Sequence, residues 1–291
     1  MKLGLVQIKG DCQRPERFRR LLSLVRKAAG SGARILVLPE LFLHRYFCQA
    51  EDSGNFLLAH SQHRDEIKRL RALAKELEIV LIVPYFEKRE KDVYHNSAVI
   101  FDADGSDLGT YRKMHIPDDP GFHEKYYFTP GDLGFKTFST RYGRVGVLIC
   151  WDQWFPEAAR LTALSGCDLI VCPTAIAWDR RELKGLSAEE GNMVKTEQLE
   201  AWKTVQRSHA IANGVFLAAV NRVGREDNLD FWGSSFICNT MGGELGSLNV
   251  TEEKVLIADC DFGEIEKTRN TWTFFRDRRP EWYGGLVERF N

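Results

Sequence analysis

The chain has 291 residues, and its 40 Lys+Arg against 41 Asp+Glu leave a formal net charge of −1. That balance excludes nucleic acid as the main partner, because phosphate binding needs a basic excess on at least one face. With 44% hydrophobic and 28% charged residues, the composition is that of a globular protein and not of a disordered, collagenous or disulfide-stapled one. No Pro/Gly/Ser-rich linker or repeat divides the sequence, so a single domain over 1–291 is expected. The first residues carry too short an apolar stretch for a signal peptide, and no run approaches the roughly 20 apolar residues that span a bilayer. A cytoplasmic protein without membrane association is therefore expected. Seven cysteines (Cys12, Cys48, Cys150, Cys167, Cys172, Cys238, Cys260) are scattered, mostly inside apolar runs, and lack CxxC spacing. They read as reduced, buried thiols.

Short Val/Ile/Leu-rich runs recur between amphipathic stretches. The pattern predicts a strand over 3–8, a helix over 15–29, a strand over 34–38, a helix over 64–77 and a strand over 79–84. In the first helix Phe18, Leu21, Leu22, Leu24, Val25 and Ala28 make one apolar face. Paired antiparallel runs follow, 97–101 with 108–113 and 136–139 with 145–149, each across a Gly-containing turn. A helix over 155–165, a strand over 169–171, a helix over 197–212 and a strand over 216–220 restore the alternation. Strands over 234–238 and 254–260 complete the chain. The class is α/β. Sheets covered by helices on one face and apolar on the other are satisfied by two packed sheets with helices outside, and composition alone leaves this beside an ordinary doubly wound sheet. The mixed-sign runs at 64–69 and 86–92 read as solvated helix and hairpin faces.

Three segments place a reactive side chain just after an apolar run: ILVLPE ending at Glu40, GTYRK ending at Lys113, and GRVGVLIC ending at Cys150. Ligand crevices form at the ends of strands in α/β sheets, so these groups are candidates to meet. Alone, Glu40 and Lys113 read as surface charges, and Cys150 reads equally as a core thiol or a nucleophile. Together they make chemical sense. A thiol with an ordinary pKa near 8.5 needs a base or cation beside it to react at neutral pH.

The motifs LPELF around Glu40, YRKMHIP around Lys113 and CWDQWFPEAAR from Cys150 resemble the Glu-Lys-Cys motifs of the nitrilase, or carbon-nitrogen hydrolase, superfamily over almost the whole chain. The runs KMHIPDDPGFHEKYYFTPGD (113–132), PTAI (173–176), QRSHAIANG (206–214), AAVNRVG (218–224) and FFRDRRPEWYG (274–284) are similar to the N-carbamoylputrescine amidase subfamily; residues 178–194 differ from its pattern. The resemblance implies a four-layer α-β-β-α sandwich of two packed mixed sheets and no cofactor or metal. It also implies a small ureide or amide substrate, cleaved with Glu40 as base, Cys150 as nucleophile, and Lys113 with the Trp151 N–H as oxyanion donors. Loss of one such donor typically costs about 2.7–4 kcal/mol. Glu124 aligns with a second glutamate that would hold Lys113 or the substrate. A substrate ammonium calls for a carboxylate or aromatic face: Asp179 is the candidate carboxylate, Tyr46, Trp151 and Trp154 candidate walls, and Asp118 and Asp119 candidates at the entrance. Superfamily members associate through C-terminal segments, so a homo-oligomer is implied, with the basic cluster Arg276–Arg279 in that region.

The seven histidines (44, 60, 63, 95, 115, 123 and 209) form neither HExxH nor a Cys/His cluster, so no metal is expected. A Cys150–His115 pair would leave Glu40 and Lys113 unexplained. Two other functional readings stand beside the carbamoylputrescine amidase: a β-ureidopropionase or other ω-amidase of the same mechanism, whose pocket would need an arginine in place of Asp179, and a non-catalytic binding module on the same fold.

Overall fold

Alternating side chains on the first strand split it between two apolar layers, and the rest of the architecture follows from that division. In the computed structural model, described for residues 1–60 and 64–290, the first half of the chain forms β1 (Lys2–Gln7), α1 (Arg14–Gly30), β2 (Ile35–Val37), α2 (Asp65–Leu77), β3 (Val80–Glu90), β4 (Val93–Phe101) and β5 (Asp107–Arg112). The second half forms β6 (Thr137–Thr140), β7 (Gly143–Val147), α3 (Pro156–Leu164), β8 (Leu169–Thr174), β9 (Ala177–Asp179), α4 (Ala188–Asn213) and β10 (Phe216–Asn221). It continues with β11 (Val223–Glu226), β12 (Leu229–Trp232), β13 (Phe236–Cys238), β14 (Glu244–Ser247), β15 (Lys254–Asp259) and α5 (Gly263–Thr271).

Two six-stranded mixed sheets result, in the orders β15-β1-β2-β3-β4-β5 and β14-β13-β10-β8-β7-β6. Leu3, Leu5, Ile35, Val37, Val80 and Ile82 of the first sheet share one core with Val145, Val147, Leu169, Val171 and Ala218 of the second. Val6, Leu36, Leu81 and Val83 point the other way, onto Phe18, Leu21, Val25, Ile67, Leu70 and Leu73 of α1 and α2. Close approach explains one glycine: a Cβ at Gly4 would lie 2.2 Å from Leu36 Cδ2, within that helix-facing layer. On the far side, Trp202 of α4 packs edge-on to Phe236 of β13 with ring centroids 5.5 Å apart. The four-layer sandwich is therefore present, and no described helix is long and apolar enough to cross a membrane.

Several elements differ from the sequence expectation. α4 begins at Ala188, nine residues before the expected start, because Ser187 and Glu190 form a capping box: Glu190 N donates to Ser187 Oγ at 3.2 Å, and Ser187 N to Glu190 Oε2 at 2.8 Å. Its first turns are solvated and so lack apolar periodicity. The run at 86–92 is not wholly solvated: β3 continues to Glu90, and Glu87 is buried, accepting from Ser97 Oγ at 2.6 Å and from Arg112 Nη2 at 2.7 Å. A small sheet, β11-β12-β9, was not expected; its hairpin turns at Asp227-Asn228 with Asp227 at φ +53°. Past α5 the tail leaves Trp282, Leu286, Val287 and Phe290 exposed.

Leu5 lies wholly inside the inter-sheet core. Leu5→Ala is expected to lower the free energy of unfolding by about 2–5 kcal/mol, read as a lower urea midpoint at unchanged slope.

Candidate active site

Each of the expected reactive groups sits where an element of the sandwich ends. Glu40 follows β2, and the next residue, Leu41, turns the chain at φ +49°. Lys113 follows β5, with its N–H donating to Asn96 O on β4 at 2.8 Å. Glu124 opens a 3-10 turn (Glu124–Tyr126), and Cys150 opens another (Cys150–Trp154) just beyond β7.

Lys113 is the centre of the arrangement. Its Nζ donates to Glu40 Oε1 at 2.9 Å and to Glu124 Oε2 at 2.6 Å, and all three side chains are fully buried. Asn96 Nδ2 donates to Glu40 Oε1 at 2.6 Å. Tyr46 Oη donates to the remaining oxygen of Glu124 at 2.8 Å. Glu40 Oε2 has no hydrogen-bond partner among the described residues, and the Cys150 thiol donates to Ala175 O at 4.0 Å.

The charges set the protonation states. Burial, with Glu124 adding to it against the pull of Lys113, pushes the Glu40 carboxyl up to about 7. Burial alone would depress Lys113, but Glu124 and Glu40 more than reverse it and hold the ammonium well above its ordinary value. Burial and the neighbouring Glu40 raise the Cys150 thiol well above the usual range. The resting cluster thus pairs a protonated thiol with a carboxyl poised near neutrality, an arrangement able to pass a proton from sulfur to carboxylate.

The sulfur sits on a strained turn. Cys150 has φ +46°, a conformation that costs a residue with a side chain about 1–3 kcal/mol. Asp152, also buried, pins this turn: its carboxylate accepts from Ile149 N at 3.0 Å, Tyr111 Oη at 2.7 Å, His115 N at 2.9 Å and His115 Nδ1 at 2.8 Å. His115 therefore serves Asp152, stacked on Phe155 with centroids 3.7 Å apart, rather than acting on the sulfur.

Cys150 opens onto a cavity of about 290 Å³ lined by Trp151, Trp154, Trp232 and Phe122 and by the carboxylate residues Asp119, Asp179 and Glu182. The expected residues divide as follows. Trp151, Trp154, Asp119 and Asp179 line this space, and Glu124 holds Lys113. Tyr46 is not a wall: it is buried, fixing Glu124. Asp179 is not a free carboxylate, since Arg181 holds it through Nε at 3.0 Å and Nη2 at 2.5 Å; against its burial, these bonds keep its pKa low. Of the histidines, His44 and His60 pair with each other and His209 Nε2 donates to Gln153 O at 2.8 Å, while His63 lies outside the described residues. Sequence reasoning missed Asn96, Asp152 and Glu182. Only Asp152, two residues past the cysteine, carried a local signal.

A fold and a site of this kind define a carbon-nitrogen hydrolase. The family model for carbon-nitrogen hydrolases matches residues 2–270, and the chain belongs to that family. It is 45% identical over 273 residues to a protein of Oryza sativa subsp. japonica named N-carbamoylputrescine amidase, covering 91% of this chain and 87% of that one. It is 39% identical to a citrullinase of Francisella tularensis over 100% of this chain and 99% of the relative. Among solved structures, a carbon-nitrogen hydrolase from Helicobacter pylori G27 superposes with a TM-score of 0.93 at 41% identity, covering 100% of this chain and 99% of that one.

Alkylation of Cys150 by iodoacetamide, followed by peptide mass mapping, is expected to accelerate as pH rises through about 7. Below that value Glu40 is protonated and cannot receive the thiol proton. In Glu40→Gln this step should vanish, leaving only the rise of the raised thiol at alkaline pH.

Proposed function

We propose that residues 1–291 form one hydrolase domain that cleaves N-carbamoylputrescine to putrescine, carbon dioxide and ammonia, as a step in polyamine synthesis in the cytoplasm. The observation that carries this reading is the buried Glu40–Lys113–Glu124 cluster beside Cys150, opening onto a cavity whose lining residues include three carboxylates and no lysine or arginine. Glu40 takes the thiol proton as the sulfur attacks the carbamoyl carbon. The oxyanion faces Lys113 Nζ and the backbone N–H of Trp151. Glu40 then passes its proton to the departing nitrogen, leaving the carbonyl carbon bonded to sulfur. Water, deprotonated by Glu40, attacks that carbon and releases Cys150, which recovers its proton, and the freed carbamic acid then loses carbon dioxide, breaking the second C–N bond. Glu124 and Asn96 hold Lys113 and Glu40 throughout.

At the far end of the cavity the substrate ammonium meets aromatic faces and the carboxylates of Asp119, Asp179 and Glu182. Asp179 is already engaged by Arg181, whereas Glu182 forms no ion pair among the described residues, so Glu182 is assigned the larger share. An anionic substrate such as N-carbamoyl-β-alanine is disfavoured by the same carboxylates. The Asp179–Arg181 pair gives one specific reason for a second reading: an adjacent anion and cation suit a zwitterionic amino-acid end, as in citrulline.

With N-carbamoylputrescine, citrulline and N-carbamoyl-β-alanine assayed side by side, the first is expected to show the highest kcat/KM. Glu182→Gln should raise its KM about tenfold, the equivalent of 1.4 kcal/mol, with kcat little changed. Preference for citrulline transfers the assignment to the second reading, and preference for the anionic ureide overturns both.

The oligomer is assigned to the C-terminal tail, where Trp282, Leu286, Val287 and Phe290 form an unusual concentration of exposed apolar side chains. Light scattering on a gel-filtration column is expected to show a multimer for the full chain and a smaller species for Trp282→Ala/Leu286→Asp. A full-length monomer would remove the assignment.

A further inference from the structure

A second cleft, of about 600 Å³, lies away from the cysteine, between the start of α1 and the loop that follows Glu40. Its lining brings together Arg14, Arg17, Arg45 and Arg225, against the two carboxylates Asp11 and Glu16. Asp11 is bound by Arg20 at 2.7 Å, Arg14 pairs with Glu66 at 2.5 Å and Arg45 with Asp227 at 2.9 Å, so among the described residues Arg17 and Arg225 are the cleft arginines without an ion pair.

Arg17 makes the arrangement unusual. It is only 2% exposed and forms no ion pair among the described residues; Nη2 donates to the carbonyls of Gly10 and Cys12, at 2.7 and 2.8 Å, while Nε and Nη1 have no partner. The nearby buried carboxylate, Glu226, is already committed. Its Oε1 accepts from Arg222 Nε at 3.1 Å and Nη2 at 2.5 Å, and its Oε2 accepts from Tyr46 N at 2.7 Å. Two buried guanidinium groups thus share one carboxylate, leaving Arg17 without a countercharge of its own. Burial and the adjacent Arg222 lower Arg17 to about 10. The same field acts on His44: burial, His60 and the surrounding arginines hold it down to about 2. Arg64 donates to His60 Nδ1, so the neutral His60 donates from Nε2 to His44 Nε2, and this histidine pair supplies no negative charge.

An unpaired buried charge is costly, and the N–H groups that Arg17 leaves without partners are charge-assisted donors suited to an oxoanion. We propose that this cleft is a binding site for a small, doubly charged oxoanion, held by Arg17 at its base and by Arg14, Arg45 and Arg225 at its rim. The bound anion does not reach the reacting atoms. It offsets the repulsion between Arg17 and Arg222, whose Nη1 and Nη2 hold the carbonyls of Leu41 and His44 at 3.1 and 2.8 Å, and so steadies the loop between Glu40 and Tyr46.

Inorganic phosphate is the probe, with citrate as a polycarboxylate arm, both titrated calorimetrically into the full chain at constant ionic strength set by chloride. Saturable uptake of one phosphate per chain is expected, with a matching rise in the thermal midpoint. Arg45 and Arg225 are exposed and outside the catalytic machinery, so Arg45→Ala/Arg225→Ala should fold, keep its basal hydrolysis and bind phosphate at least about tenfold more weakly. Saturable citrate binding that the double variant also loses supports an oxoanion site of broader choice. Absence of saturable uptake of either anion, or equal affinity in the double variant, overturns the proposal.

Discussion

An ammonium group sealed from solvent between two carboxylates is the constraint around which this molecule is built. Lys113 lies between Glu40 and Glu124 with none of the three exposed, and such a cluster persists only if every member keeps its partners. Removing one leaves an uncompensated buried charge, at a cost of about 3–5 kcal/mol. The sheets supply the rigidity that prevents this: Glu40 and Lys113 leave the ends of β2 and β5, while Asn96 on β4 ties itself to Glu40 through its side chain and to Lys113 through its carbonyl. Burial, with Glu124 adding to it against the pull of Lys113, is what raises the Glu40 carboxyl to about 7 within this cluster.

Two residues beside that cluster adopt backbone conformations that a side chain resists, Leu41 after the base and Cys150 at the sulfur. Each is held by its own buried acid. Glu226 binds Tyr46 N and orients Arg222 onto the carbonyls of Leu41 and His44, and Asp152 gathers four donors around the cysteine turn. Gly10 is part of the first support, since a Cβ there would fall 1.9 Å from Glu226 Oε1. Strain near the chemistry is thus balanced by polar networks a few ångströms behind it.

The layered architecture was legible in the sequence because strands such as Leu3–Val6 and helices such as α1 carry their burial pattern in residue order. Glu40, Lys113 and Cys150 were legible because each ends an apolar run and because the surrounding motifs resemble a known family. What the letters concealed was of another kind. Asn96 reads as an ordinary strand residue, and only the order β2-β3-β4 across the sheet brings it to Glu40. Arg181 sits two residues from Asp179, yet no periodicity announces that it neutralises the carboxylate expected to meet substrate. The solvated start of α4 buries too little, and β9 with its three residues is too short, to leave a pattern.

The support of the cysteine turn has an evolutionary implication. The four hydrogen bonds that Asp152 accepts come from Ile149, Tyr111 and His115, and none comes from Cys150 itself. Chemistry and scaffold are therefore separable at this position: a lineage that exchanged Cys150 for glycine would lose the Cβ that resists φ +46°, relieve backbone tension and keep these hydrogen bonds. A carbon-nitrogen hydrolase of this design stands one codon change from a receptor that holds a small molecule without consuming it.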